Sequence, residues 1–208
     1  MKAVLATFGF SLGGAAAAAL FGHPHQPGRA AAAPAPAQAP APPGRIALTP
    51  ADLRQAYADG SIDQPIETIL DVRAPMTYGD YRWDDRGVPA GPAWVRVDLR
   101  TQLISVFRSG QEIGTAVILY GADGVPTPTG KFPILAKLKD HTSATYDNAP
   151  MPYTLRLTTD GVSIHGSNVR WGFATHGCIG VPTAFAARLF DAVKTGDEVL
   201  IVGEPKPS

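Results

Sequence analysis

Val95-Arg96-Val97-Asp98-Leu99, followed after a short polar break by Ile104-Ser105-Val106-Phe107, is the stretch that decides the fold. Apolar residues recur at every second position, with Arg96 and Asp98 between them, and that period places Val95, Val97 and Leu99 on one face of a half-buried β-strand. Turn signals then punctuate the chain at Ser109-Gly110, at residues 121–124 and at Asp160-Gly161, between apolar runs at 113–120, 132–135, 155–157 and 162–164. Turns this regular predict a mainly β domain, a meander or a sandwich.

Working outward, one helix stands out near the end. Pro182-Thr183 opens a segment with Phe185, Ala186, Leu189 and Val193 at helical spacing, closed by Gly196, and residues 198–202 return as a last strand. Upstream, Thr49-Pro50-Ala51-Asp52 combines a cap, a proline suited to the first helical position and a first-turn acid, which predicts a short helix through Ala58. Residues 66–72 read as a strand, and Tyr81 and Trp83 offer packing anchors.

The N-terminal residues have a different character. Residues 1–22 carry one charge, Lys2, and are otherwise apolar or small, the pattern of a secretory signal; cleavage is the preferred reading, with an uncleaved anchor as the alternative, since a span needs about 20 apolar residues. Residues 23–45 are mostly Ala and Pro and offer nothing bulky to pack, so an extended, disordered tether is expected. The remaining chain divides into a small extension over 46–93, packing on the core, and a main domain over 94–203.

Composition excludes several functions. The 208 residues hold 18 basic and 18 acidic side chains, so no cationic face is available for nucleic acid. A single cysteine, Cys178, excludes an intrachain disulfide. No dinucleotide fingerprint or phosphate-binding loop is present: Gly130-Lys131 lacks the spaced glycines and the hydroxyl residue.

Chemistry concentrates between 163 and 182. Ser163-Ile164-His165-Gly166-Ser167 and Thr175-His176-Gly177-Cys178-Ile179-Gly180-Val181-Pro182 bring two of five histidines and the only cysteine within fourteen positions. A thiolate is the effective nucleophile, and an imidazole on a neighbouring strand end, His165, can stabilise it as an ion pair. Gly177 leaves the backbone free to approach a substrate, and amides around Cys178 can hold an oxyanion. Two other readings stand beside this one. A lone cysteine is often a small buried apolar residue, although here it follows Thr-His-Gly at a loop-like junction. His165, His176 and Cys178 are also acceptable zinc ligands, but no fourth ligand or catalytic Glu is evident, and no metal is assigned.

These residues carry a resemblance. Ile164-His165-Gly166 with Thr175-His176-Gly177-Cys178-Ile179 resembles the signature of L,D-transpeptidases with a YkuD-type catalytic domain, and Val125-Pro126-Thr127-Pro128-Thr129-Gly130 resembles that family's Thr-Pro-Thr-Gly turn. Met151-Pro152-Tyr153 is similar to the stretch ahead of the first His, and the likeness runs over about 94–202. It implies a mixed β-sandwich with a short C-terminal helix. It also implies a cysteine acyltransferase working through a thioester, with Cys178 as nucleophile and His165 as base. Thr175, His176 and Gly177 would form the motif and oxyanion site, and Gly166 or Ser167 would orient the imidazole. No cofactor is implied.

The partners implied are peptidoglycan stem peptides, met by a monomer in the periplasm or cell envelope with no stable membrane span after cleavage. Members commonly carry Arg or Asn two residues after the cysteine, where this chain has Gly180. Either another cation, Arg170 as the nearest candidate or Arg156, takes its place toward substrate, with Tyr153 as a second contact, or the acceptor specificity is altered. A hydrolase of the same chemistry, either a carboxypeptidase or an endopeptidase, and an idle wall-binding module are the alternatives.

Overall fold

The structure is a computed structural model that describes residues 41–143 and 148–203. The expected signal and most of the tether lie outside the described residues. Strand β4 (Ala93–Asp98) and β5 (Leu103–Arg108) pair antiparallel, with Val95 opposite Val106 and Val97 opposite Ile104. All four side chains are fully buried. Ser109 and Gly110 both adopt left-handed φ, 50° and 75°, the requirement of a two-residue hairpin turn, and feed β6 (Gln111–Val117) back along β5.

The sheet grows from this meander on both sides. Strand β12 (Glu198–Val202) lies parallel to β4, and β7 (Gly130–Pro133) closes that edge, while β1 (Arg45–Ala47) and β2 (Thr68–Leu70) extend the other beyond β6. β3 (Tyr81–Trp83) also pairs with β6. A second, four-stranded sheet runs in the order β11 (Ile179–Pro182), β10 (Ser163–Ser167), β9 (Thr154–Arg156), β8 (Ala136–Leu138). Both sheets and helix α2 (Thr183–Ala192) feed one core, in which Val97 and Ile104 meet Leu155, Ile164, Ile179, Phe185 and Leu189. Each such side chain contributes roughly 1.5–3 kcal/mol by leaving water. The fold is the expected mainly β, mixed sandwich with a short C-terminal helix.

One expectation about β4 fails. Its second face, with Trp94, Arg96 and Asp98, is covered rather than solvated: Trp94 stacks on Phe107 at 4.5 Å, and Ile62 and Ile66 complete a second apolar cluster with them. Asp98 is accordingly buried, paired to Arg96 at 3.0 Å and accepting the Arg100 and Thr101 N–H groups. The cover comes from the residues before the main domain. There, helix α1 (Pro50–Ala58) starts at a capping box in which Thr49 and Asp52 bond each other's backbone N–H, and it sets Leu53 and Ala56 on the cluster. Tyr81 and Trp83 turn the other way and contact Phe185 of α2 edge-on. At the far end of α2 the Lys137 ammonium donates to Phe190 O and Val193 O, a cation on the carbonyl end of the helix.

Candidate active site

Strands β10 and β11 run parallel, with Ile164 beside Ile179, His165 beside Gly180, Gly166 beside Val181 and Ser167 beside Pro182. Alternation along these strands sorts side chains by chemistry. Ile164, Ile179 and Val181 enter the core. Ser163, His165 and Ser167 share the opposite face, and extending the register by one residue sets Cys178 opposite Ser163. Cys178 is then two positions from His165 on the neighbouring strand, a diagonal of about 8 Å between Cα atoms.

His165 is buried, and its Nδ1 lies 3.0 Å from Gly166 O. A carbonyl only accepts, so Nδ1 carries the hydrogen and the neutral ring keeps a free lone pair on Nε2. Burial, with a smaller contribution from His141, holds the imidazole below its ordinary pKa, against the raising effect of the Gly166 bond. Gly166 is fixed in turn through its N–H, which donates to Pro152 O.

The thiol of Cys178 is half-buried, with Sγ 3.9 Å from Gly161 O. Burial pushes its pKa up, and the Ser163 backbone N–H, which hydrogen-bonds the sulfur, opposes this. Both shifts run toward the uncharged forms, a neutral thiol and a neutral imidazole. Desolvation acts on both groups against the ion pair expected from sequence.

The approach to the cysteine is braced from three sides. Thr175 Oγ1 donates to Cys178 O at 2.5 Å, and the Thr175 N–H donates to Tyr120 O. Gly177 sits at φ 99°, in the left-handed region, and is pressed against Gly121, where an added Cβ would come within 3.0 Å of Gly177 Cα and 2.0 Å of Val125 O. Thr127, a buried member of the Thr-Pro-Thr-Gly element, accepts the Gly121 N–H at 2.9 Å and so folds this backing loop beneath the cysteine. His176 is exposed.

The remaining sequence candidates fall elsewhere. Gly180 exchanges both backbone bonds with Leu119, and a Cβ there would lie 3.0 Å from the Ser167 side chain and 3.4 Å from Leu119 Cβ. A side chain at 180 would thus need Ser167 to give way by a few tenths of an ångström. Arg170 is exposed and donates to Asn168 Oδ1 at 2.8 Å. The Tyr153 ring is engaged at 5.8 Å with Phe190 of α2.

Sequence reading gave no site role to Ser163, Gly161, Thr127 or His141, although the polar alternation Ser163-His165-Ser167 was a usable signal. It also missed Trp171 and Phe173, 70% and 61% exposed on the loop joining the two site strands. Among the described residues no three His, Cys, Asp or Glu side chains gather to hold a metal ion, and no helix is long and apolar enough to cross a membrane.

Fold and site together define a β-sandwich protein with a histidine on one strand, β10, and a cysteine just ahead of the parallel strand β11. The L,D-transpeptidase catalytic domain family, YkuD, matches residues 92–201, more than half of the chain, and the chain belongs to that family. L,D-transpeptidase 1 of Mycobacterium tuberculosis is 30% identical over 136 residues, which take in 56% of this chain and 53% of the relative. The chain therefore spans about half the length of the curated relatives it matches. Among solved structures, an L,D-transpeptidase from Stackebrandtia nassauensis superposes with TM-score 0.52 at 24% identity, covering 57% of this chain and 58% of that one. Another, from Mycobacterium tuberculosis, gives 0.50 at 21% identity, covering 53% and 57%. At these identities both structures speak to the fold.

Proposed function

We propose that this protein transfers acyl groups between peptidoglycan stem peptides through a thioester on Cys178. His165 Nε2 takes the thiol proton as Sγ attacks the carbonyl of the third stem residue, and the Gly177 and Cys178 amides hold the oxyanion. Collapse breaks the amide bond, the imidazolium returns its proton to the departing D-alanine amine, and the thioester remains. An acceptor amine then loses its proton to His165, forms the new amide and frees the thiol.

The observation that carries this reading is the polar face of β10 and β11. It sets the thiol diagonal to an imidazole whose Nδ1 is already bound, so the free lone pair is on the nitrogen the chemistry needs. The sequence of steps uses only groups of this chain. Thr175 acts by bracing the Cys178 carbonyl, and Gly166 orients the imidazole. Arg170 is the proposed contact for a stem carboxylate, in preference to Tyr153, whose ring is engaged with Phe190. Trp171 and Phe173 offer apolar surface for the same substrate on the same loop. Work on peptidoglycan would be done outside the cytoplasmic membrane.

Mass spectrometry after incubation with a defined disaccharide-tetrapeptide tests the proposal. Cross-linked dimers from the wild type and none from Cys178→Ala are expected. Tripeptides without dimers would replace the transferase with a hydrolase, and unchanged tetrapeptide would reject both.

A further inference from the structure

The turn between β9 and β10 reaches the thiol through one atom, Gly161 O. Two donors converge there: Cys178 Sγ at 3.9 Å and the Ser163 hydroxyl at 2.9 Å. The turn is well tied. Thr158 Oγ1 accepts the Val162 N–H, and the Arg156 guanidinium donates to Thr158 O at 3.1 Å and Thr159 O at 2.6 Å. Ser163 is 3% exposed, and its hydroxyl has no part in the steps above.

Loss of the thiol proton changes what this corner requires. A thiol donates to Gly161 O, whereas a thiolate only accepts, and the same carbonyl dipole then repels it. Ser163 and Cys178 occupy paired positions about 5 Å apart on neighbouring strands. A hydroxyl redirects its proton by rotation about one C–O bond, with no movement of the backbone. The Ser163 N–H favours the thiolate, and a second donor from the same residue would make a two-point cradle for the anion.

We propose that Ser163 is a positioning residue for the nucleophile: its hydroxyl holds Gly161 O while Cys178 is a thiol and turns to Sγ when the thiol proton passes to His165 Nε2. The S–H bond breaks, the N–H bond on the imidazole forms, and the hydroxyl keeps its own proton throughout. This rests on the proposed role of Cys178 and adds a second residue to it. The other charged and titratable groups around the corner are His165 on β10, His176 ahead of β11, Asp160 in the turn, His141 beyond His165, and Arg156, whose guanidinium is bound to Thr158 O and Thr159 O. None of them replaces a neutral donor that follows the sulfur's charge.

The test is the rate of Cys178 alkylation by iodoacetamide against pH, with kcat and KM on tetrapeptide, for wild type, Ser163→Ala and Ser163→Thr. Ser163→Ala should move the alkylation midpoint up by about one pH unit, equivalent to about tenfold in thiolate fraction at neutral pH. It should lower kcat by a similar factor with KM unchanged, and Ser163→Thr should restore both. An unmoved midpoint in Ser163→Ala, with or without a loss of kcat, overturns the inference while leaving a Cys178-dependent turnover standing. If Ser163→Ala does not fold, Ser163→Gly, which also lacks the hydroxyl, is read in the same way. A wild-type Cys178 that resists alkylation at every pH removes the proposed function itself.

Discussion

In the large sheet, β4 and β5 bury carbon on both faces: valines and Ile104 on the side of α2, Trp94 and Phe107 on the side of α1. In the small sheet, β10 and β11 bury carbon on one face only, and Ser163 and His165, on the other, are buried as well. Both sheets use the same alternation. A closed polar face gains less from leaving water than an apolar one and needs its hydrogen bonds satisfied, so the small sheet depends on its partner for stability. In return it holds two groups, His165 and Cys178, whose charged forms burial disfavours.

The contrast breaks most sharply under paired substitutions. Cys178→Ala should abolish turnover and leave the melting temperature close to wild type, because one half-buried sulfur is lost. Ile104→Ala should do the reverse, costing about 2–5 kcal/mol in denaturant unfolding while the folded fraction keeps its kcat. Comparable stability losses from both would erase the distinction between the sheets.

Smaller effects sharpen it. His165→Ala should lower kcat by about 10²–10⁴-fold, the usual range for a general acid–base group, and His176→Ala by far less. Equal losses in steady-state kinetics would move the base to the exposed ring. The acid limb of kcat/KM against pH should fall below the ordinary imidazole value of about 6.5. The sign follows from burial: His165 is held down, so its neutral, proton-accepting form persists to lower pH. A limb at or above that value would mean that the base is not a desolvated histidine. Arg170→Ala should raise KM for tetrapeptide by about tenfold, the lower end of a charge-assisted hydrogen bond, since the guanidinium is exposed. Its rate of Cys178 alkylation should not change; an unchanged KM would send the substrate carboxylate elsewhere.

Much of this was legible in the sequence because it rests on short-range pattern. The period of two around Val95 and Ile104, the Ser109-Gly110 turn, the cap at Thr49 and the α2 face of Phe185, Ala186 and Leu189 each involve neighbours along the chain. The signature residues were legible for a different reason, their types and spacing. What stayed hidden depends on segments distant in sequence. The burial of Trp94 needs Ile62 and Ile66 to cover a strand some thirty residues away. The fit of Gly180 depends on Ser167 and Leu119, from two other segments. The neighbours of the thiol, Gly161 and Ser163, are set by a turn that Arg156 ties and by a parallel register that no local pattern specifies.

The central claim is that Cys178 carries the acyl group, and rapid-quench intact-mass analysis with a tetrapeptide donor and no acceptor tests it most directly. Wild-type protein should gain the donor's mass less D-alanine, on the peptide that contains Cys178, and Cys178→Ala should gain nothing. Turnover of the donor with no adduct at any quench time, or an adduct that persists in Cys178→Ala, would contradict the account.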